Sequence, residues 1–448
     1  MRFQLGEMFC GPGGISLGAR LASADHDGPS GIRHAWALDY HPDTVRTYRK
    51  NFPETPEDAV FQADVRNFDL DLIPPHNAFA FGFPCNDFST IGEHRGLEGA
   101  YGGLYTYGLS VIAKHQPDWF LAENVTGLSQ ANGGRAFGQI LAGLRHPGRH
   151  VLKVNPETAA GASAESLNQL EYEITAHRYR FEQYGVPQKR HRILIVGIRK
   201  DHADRGVSFR IPTPTTPLAE QWTTAGHALA AIPPHAPNNK RRTLHPRVEA
   251  RVDMIAPGDN AFNTDFSTRP DLKLNVRGAT LSNIYRRLKR DEPSYTVTGS
   301  GGGGTHMYHW EDPRALTNRE RARLQSFPDD FEFLGTEPSV RRQVGMAVPP
   351  EGVKHIIQAI LRAFDEAEAP SPGQHETPPV QPNIDAAALI HEAMSAAAAA
   401  ADELPLFEST ADVHESALPA PLRDVSPVED EIRPVPVSES ERRDSSGI

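Results

Sequence analysis

Cysteine is nearly absent from this chain: two residues, Cys10 and Cys85, among 448. One pair cannot build the disulfide framework of a small secreted scaffold, and a chain of this length can bury a large core without one. No uninterrupted apolar run approaches the roughly 20 residues that span a bilayer, which predicts a protein without membrane-spanning helices. Nothing at the N-terminus has the basic, apolar, small-residue order of a signal peptide, so a cytoplasmic location is expected. The first glycine-rich turn is not followed by the Lys-Ser/Thr pair of a phosphate-binding loop, which argues against a polyphosphate ligand. No internal repeat is present.

The net charge of -11 looks unsuited to a nucleic-acid partner until it is divided along the chain. Residues 370–448 hold 15 Asp/Glu and 4 Lys/Arg, leaving 42 of each sign in residues 1–369. The acidity therefore belongs to the tail, whose Pro, Ala, Ser and Glu content predicts disorder with a transient helix near 386–401, dispensable for chemistry. Within residues 178–292, 21 Lys/Arg stand against 11 Asp/Glu, an excess that suits contact with phosphates.

From the start to about Arg199, short apolar runs alternate with helix-like segments. Arg2 to Phe9, His34 to Asp39, Ala78 to Phe83, Trp119 to Asn124 and Ile193 to Ile198 read as buried strands. Ile15 to Ala22, Pro42 to Asn51, Leu104 to Lys114 and Ala136 to Leu144 have helical spacing. This predicts an α/β fold with a doubly wound, Rossmann-like sheet over residues 1–199. Residues 200–290 lose the rhythm and become rich in Pro, Arg, Asn and Thr, as in a smaller irregular domain. Helices resume at Thr317 to Gln325 and Glu351 to Phe364, so 291–369 would complete the small domain and return to the first.

The first strand runs into Phe9-Cys10-Gly11-Pro12-Gly13-Gly14. Glycines let the backbone turn sharply and approach a ligand where a Cβ would collide. The second strand ends in Asp39, where a carboxylate can accept hydrogen bonds from ribose hydroxyls. Asp64 closes a third short segment, Ala63-Asp64-Val65, and could reach an adenine amino group. Three strand ends facing an adenosine-like ligand with no polyphosphate fit S-adenosylmethionine.

Cys85 sits where the strand from Ala78 meets a glycine-rich loop, at the carboxyl end where open α/β sheets bind ligands. A thiolate exposed there would be a nucleophile. Cys10, inside the glycine loop, reads instead as a small buried hydrophobe. Glu123 ends the next strand and can converge with Cys85 to share or hand over a proton. Arg190 and Arg192 fall on one face of the following strand by period-two alternation, and planar guanidiniums suit phosphates and the carbonyl of a pyrimidine. His306 and His309 have a metal-like spacing, but flanking glycines and missing cysteine partners favour a loop, and no metal is expected.

Taken in order, these blocks resemble the cytosine-5 DNA methyltransferase family of the bacterial restriction-modification type. The resemblance covers Phe9 to Pro350: F-x-G-x-G-G at 9–14, G-F-P-C at 82–85, E-N-V at 123–125, Q-x-R-x-R at 188–192, R-x-L-T-x-R-E-x-x-R-L-Q at 314–325, and Gln343-Val344-Gly345 followed by Ala347-Val348-Pro349-Pro350. Two positions depart from the family pattern: Asn86 stands where glutamine is usual, and Met346 where asparagine is usual. The resemblance implies base flipping of a cytosine in duplex DNA and covalent attack by Cys85, assisted by Glu123, Arg190 and Arg192. It implies cofactor contacts at Phe9, Gly11, Gly13, Gly14, Asp39, Asp64, Pro84, Leu104, Met346 and Ala347. DNA contacts would come from Ser89, Gln188, Arg241, Arg242, Arg286 and Arg287, with target recognition near 200–290. The expected partners are double-stranded DNA and a cognate restriction endonuclease acting on the same site without a stable complex, the enzyme itself being a monomer. The alternatives are a transfer-RNA cytosine-5 methyltransferase and a DNA-binding regulator of the same fold that has lost turnover.

Overall fold

In the computed structural model the described residues are 2–83, 103–154, 163–274, 284–299 and 303–369. Pro84, Cys85, Ser89 and the tail from Pro370, with its expected transient helix, lie outside them. Among the described residues the strands are β1 (Phe3–Met8), β2 (Ile32–Asp39), β3 (Val60–Gln62), β4 (Ala78–Gly82), β5 (Trp119–Val125), β6 (Tyr172–Arg180), β7 (Gln188–Lys189), β8 (His191–Arg199) and β9 (Ser294–Tyr295). Seven make one sheet in the order β3-β2-β1-β4-β5-β8-β6, parallel except that β8 runs against both β5 and β6. The winding reverses between β1 and β4, as a doubly wound sheet requires.

Side-chain alternation explains why both faces are covered. Phe79 and Phe81 point to one side, Ala78 and Ala80 to the other, and Ile193 and Ile195 alternate likewise with Leu194 and Val196. Helices α1 (Gly14–Ala24), α2 (Pro42–Asn51), α3 (Tyr105–His115), α4 (Arg135–Arg145), α5 (Pro147–Val154) and α6 (Ala164–Gln169) follow in chain order. The first face packs on α3, α4 and α5 through Leu109, Ile112, Phe137, Ile140 and Val151. The second packs on α1 and on α12 (Pro350–Glu368), which buries Val353, Ile356, Ile357, Ile360, Leu361 and Phe364. Each of these contributes roughly 1.5–3 kcal/mol relative to an exposed side chain. Helix α1 approaches α12 so closely that a Cβ on Gly18 would come within 2.8 Å of Val353 Cβ.

Residues 200–274 and 284–292 contribute no strand to the large sheet. They carry α7 (Lys200–Ala203), α8 (Ala225–Ala228) and α9 (Pro246–Met254), and their Val252, Ile255, Phe266, Leu272, Ile284 and Tyr285 form a second core together with Tyr308. Gln188 and Lys189 pair with Ser294 and Tyr295 in a separate two-stranded sheet. Helices α10 (Asn318–Leu324) and α11 (Glu337–Met346) precede α12. At α10, Thr317 and Glu320 form a reciprocal capping box, satisfying two orphan donors at the start of a seven-residue helix. Among the described residues no helix is long and apolar enough to cross a membrane.

Two expectations are corrected here. The third parallel strand is Val60–Gln62, and Asp64 instead caps a 3-10 turn by accepting from the Arg66 amide. Gln188 to Arg192 is not one continuous strand: β7 belongs to the small sheet and β8 to the large one, with Arg190 between them.

Candidate active site

The sharp turn after β1 needs three residues with positive φ: Phe9 at 56°, Gly11 at 55° and Gly13 at 96°. Gly14 is required for a different reason, since a Cβ there would stand 2.3 Å from the Val348 carbonyl oxygen. The block at 343–350 therefore returns to the glycine loop and seats it. Asp39, at the end of β2, accepts from the Gly11 amide at 3.0 Å and from the His41 amide at 2.9 Å. Burial pushes the Asp39 carboxyl upward, opposed by those amide hydrogen bonds. Among the described residues, apart from its chain neighbours, no atom lies within 4 Å of where a Cβ on Gly11 would be, so on this side the loop has room beside that carboxylate. A small polar ligand with hydroxyl donors fits the space and the acceptor, as the adenosine end of S-adenosylmethionine would. The next residue, Tyr40, was not singled out from sequence, yet it is 61% exposed at the same strand end. An aromatic directly after a strand-ending acid was the available signal.

Under the loop lies a buried polar group that sequence patterns did not flag. Glu7 is 2% exposed, and its Oε2 accepts from the Ser16 amide and hydroxyl, while Tyr48 Oη lies 2.8 Å from Ser16 Oγ. Burial raises the Glu7 pKa from 4.5 to about 8. The unfolded chain therefore releases this proton near pH 4.5 and the folded one only near pH 8, so stability falls as pH rises through that window. Glu7→Gln removes the titration and keeps an acceptor for Ser16. Thermal unfolding should show the variant gaining on the parent from pH 5 to pH 9, by about 2 kcal/mol or more at the alkaline end. A difference that does not change with pH would contradict this.

At the other side of the switch point, Gly82 of β4 pairs with Glu123 of β5. Glu123 lies over Gly82, where a Cβ would be 3.3 Å from its Oε2. Its Oε1 meets Arg192 Nε at 3.0 Å, with the two side chains only 13% and 15% exposed. Asn124, 2% exposed, donates from Nδ2 to the Phe83 carbonyl at 3.1 Å. It fixes the residue that leads into Pro84-Cys85, a role the E-N-V motif contained but sequence reasoning gave only to Glu123. Cys10 is buried in the core cluster that also holds Leu17, Tyr48 and Phe52, and burial pushes its thiol well above the ordinary range.

The remaining expected site residues differ in burial and partners. Arg190 is 2% exposed and donates to the Val297 carbonyl at 3.0 Å, so it does not share a face with Arg192. Gln188 is fully buried: its Nε2 donates to Gln325 Oε1 and the Leu324 carbonyl, and its Oε1 accepts from Val297. Arg287 donates to the carbonyls of Val252, Ile255, His309, Trp310 and Glu311. Both side chains are buried and bonded to the backbone of the small region. Arg241 and Arg242 are exposed, and half-buried Arg286 lies over the Tyr295 ring at 5.0 Å. Asp64 is paired with Arg66, which holds its carboxyl below the usual range. Leu104 and Ala347 are buried, whereas Met346, at the C-terminal end of α11, is 66% exposed. His306 Nε2 meets Arg242, and His309 Nδ1 accepts from the amides of Glu311 and Asp312.

Residues 3–155 and 149–362 match the family described as C-5 cytosine-specific DNA methylase. The chain belongs to that family. Among its relatives, the Type II methyltransferase M.BbvI of Brevibacillus brevis is 48% identical over 378 residues, covering 83% of this chain and 94% of the relative. The Type II methyltransferase M.NgoFVII of Neisseria gonorrhoeae is 38% identical, with 80% and 86% covered. The crystal structure of a prophage-encoded protein of Escherichia coli, assigned to the DNA modification methyltransferases, aligns with a TM-score of 0.56 at 20% identity over 80% of this chain and 98% of that one. At that identity the likeness speaks for the fold, which is the sheet seen here. This cytosine-specific methylase thus carries its glycine loop, the strand-end carboxylates Asp39 and Glu123 and the Glu123-Asn124-Val125 block on the carboxyl edge of one doubly wound sheet.

Proposed function

We propose that this methylase modifies C5 of a cytosine flipped out of one short duplex sequence, through a covalent adduct between Cys85 and C6. The observation that carries the reading is the Glu123–Arg192 pair, held over Gly82 beside the strand end that leads into Pro84-Cys85. The target must leave the stack because neither face of its C5–C6 bond is reachable within the duplex.

In this reading the Cys85 thiolate forms the S–C6 bond and the ring's double-bond electrons move toward C5. Glu123 hands a proton to N3 as negative charge develops in the ring, accepts from the exocyclic amine, and takes the N3 proton back once C5 carries the methyl group, while Arg192 holds Glu123 in place and offers its remaining N–H groups to the base carbonyl. S-adenosylmethionine, when bound, supplies an electrophilic methyl group. Gly11, Gly13, Gly14, Asp39 and Tyr40 would hold it, with Asp39 accepting from ribose hydroxyls and Tyr40 offering a ring face. Loss of the C5 proton then restores the double bond and breaks the S–C6 bond, freeing the thiolate. Residues 1–199 form the catalytic domain, 200–290 the target-recognition domain, 291–369 the return to the catalytic domain, and 370–448 a tail outside the chemistry. Duplex DNA is favoured over transfer RNA by the DNA-directed family match and by the Type II methyltransferases at 48% and 38% identity. The enzyme acts as a cytoplasmic monomer, and a cognate endonuclease would share its site without binding it.

Nucleoside analysis of duplex DNA methylated by the purified protein tests the reaction. 5-Methylcytosine confined to one short sequence is expected; N4-methylcytosine or N6-methyladenine as the product would overturn it.

A further inference from the structure

Where residues 240–309 meet α10 and α11, Arg242 contacts His306, and Arg321 and Arg341 are near enough for their charges to act on the same imidazole. Arg242 Nη1 lies 3.1 Å from His306 Nε2. Arg321, on α10, is 2% exposed and donates from Nη2 to the Thr298 carbonyl at 2.7 Å. Arg341, on α11, is half-buried. Burial, then Arg341, Arg242 and Arg321, lower the His306 pKa to about 3, so the imidazole is neutral and adds no charge. Burial and the neighbouring Arg341 lower Arg321 to about 10, which still leaves it a cation at neutral pH.

Counter-charge is missing. Among the described residues no ion pair joins Arg242, Arg321 or Arg341 to a carboxylate, and the Nε–H groups of Arg321 and Arg341 are buried without an acceptor. Glu337 acts on Arg341 from a distance, but its own Oε2 accepts from Asn318 Nδ2 at 2.8 Å. A buried cation without an anion is unfavourable, and a buried donor without an acceptor adds to that. A tetrahedral anion held by exposed Arg242 and half-buried Arg341 supplies the missing counter-charge and offers several acceptors to their planar guanidiniums, with buried Arg321 adding its charge from behind. The seat is also rigid, because Thr298 and Gly299 rest on Gly345 so closely that a Cβ there would be 2.1 Å from the Gly299 nitrogen.

We propose that Arg242, Arg321 and Arg341 form a seat for one phosphate of the DNA backbone, separate from the Glu123–Arg192 pair. This rests on the reading that duplex DNA is the substrate. The seat would anchor the duplex across the junction between the expected target-recognition segment near 200–290 and the returning helices, fixing register without reading sequence. Arg321 and Arg341 were not among the expected DNA contacts, because neither lies in the basic stretch that drew attention.

The test is equilibrium binding of a 20-base-pair duplex by the full-length protein over a range of salt concentrations. The variants are Arg242→Gln, Arg341→Gln, their combination, and Arg341→Lys. Each glutamine should weaken binding roughly tenfold at low salt and lower the slope of log affinity against log salt by about 1, while the lysine keeps the slope. Affinity for S-adenosylmethionine should be unchanged, and the Arg341→Gln melting temperature should not fall, since the substitution removes an uncompensated charge. Parent-like slopes in both single variants and the double variant would overturn the seat and leave the catalytic reading standing. A parent protein that binds duplex with these slopes but makes no 5-methylcytosine would contradict the catalytic reading and not the seat.

Discussion

Replacing Cys85 by alanine should lower methyl transfer by a factor on the order of 10³ or more while leaving specific DNA binding largely intact. Cytosine C5 is a poor nucleophile until C6 is attacked, so no other group can substitute for the thiolate by mere proximity. What supports Cys85 as that thiolate is the preparation around it. Asn124 ties down the Phe83 carbonyl, Glu123 stands over Gly82, and the chain leaves the sheet at that point. DNA carrying 5-fluorocytosine at the target isolates the covalent step, because fluorine cannot leave C5 as a cation and the adduct stalls after methylation. A denaturant-stable protein–DNA species should form only with S-adenosylmethionine present, and not with Cys85→Ala. Cys10→Ala should trap as the parent does, since Cys10 is buried in an apolar core cluster. Trapping of Cys85→Ala at the parent's efficiency would place the nucleophile elsewhere.

The parts of this molecule legible in the sequence are those where one physical requirement dominates. β1, β2, β4 and β5 are covered by helices on both faces, so their residues form short continuous apolar runs, and the expected ends fall within about two residues of the observed ones. β6 is an edge strand with Glu173, Arg178 and Arg180 interspersed, which hid it from a search for apolar runs. The antiparallel direction of β8 has no signature in its own residues, since Ile193 to Ile198 would be equally buried either way. α11 went unread because its buried side chains include Ser339 and Gln343, whose polar identity reads as surface.

At the site, the residues that chemistry alone selects, Glu123 and Asp39, are where strand ends were expected to put them. Those chosen for charge or polarity were less predictable. An arginine that satisfies five backbone carbonyls, as Arg287 does, and one left with a buried unpaired Nε–H, as Arg341 is, carry the same letter. Only packing distinguishes the arginine that builds the protein from the one available to bind an anion.

Glu123→Gln should slow methyl transfer by roughly 10²–10⁴-fold in a protein that remains folded, the range expected when a positioned proton-handling group is lost. Glutamine has the same length, and its carbonyl can still accept from Arg192 Nε, now 3.0 Å from Oε1. Its amide can lie against Gly82 where Oε2 is now, so the substitution should cost only about 1–2 kcal/mol of stability. What glutamine cannot do is give a proton to ring N3 or take one back. The loss should therefore appear in the rate at saturating DNA and cofactor, with little change in duplex affinity. It should appear equally in the rate of trapping by 5-fluorocytosine, because Cys85 attack and charge build-up at N3 belong to the same step. Arg192→Ala provides the contrast, since it leaves Glu123 intact but unanchored, and should weaken capture of the flipped base as well as slow the reaction. If folded Glu123→Gln methylates and traps within a few-fold of the parent, Glu123 serves only as the ion-pair partner of Arg192, and the proton at N3 must be handled by another group.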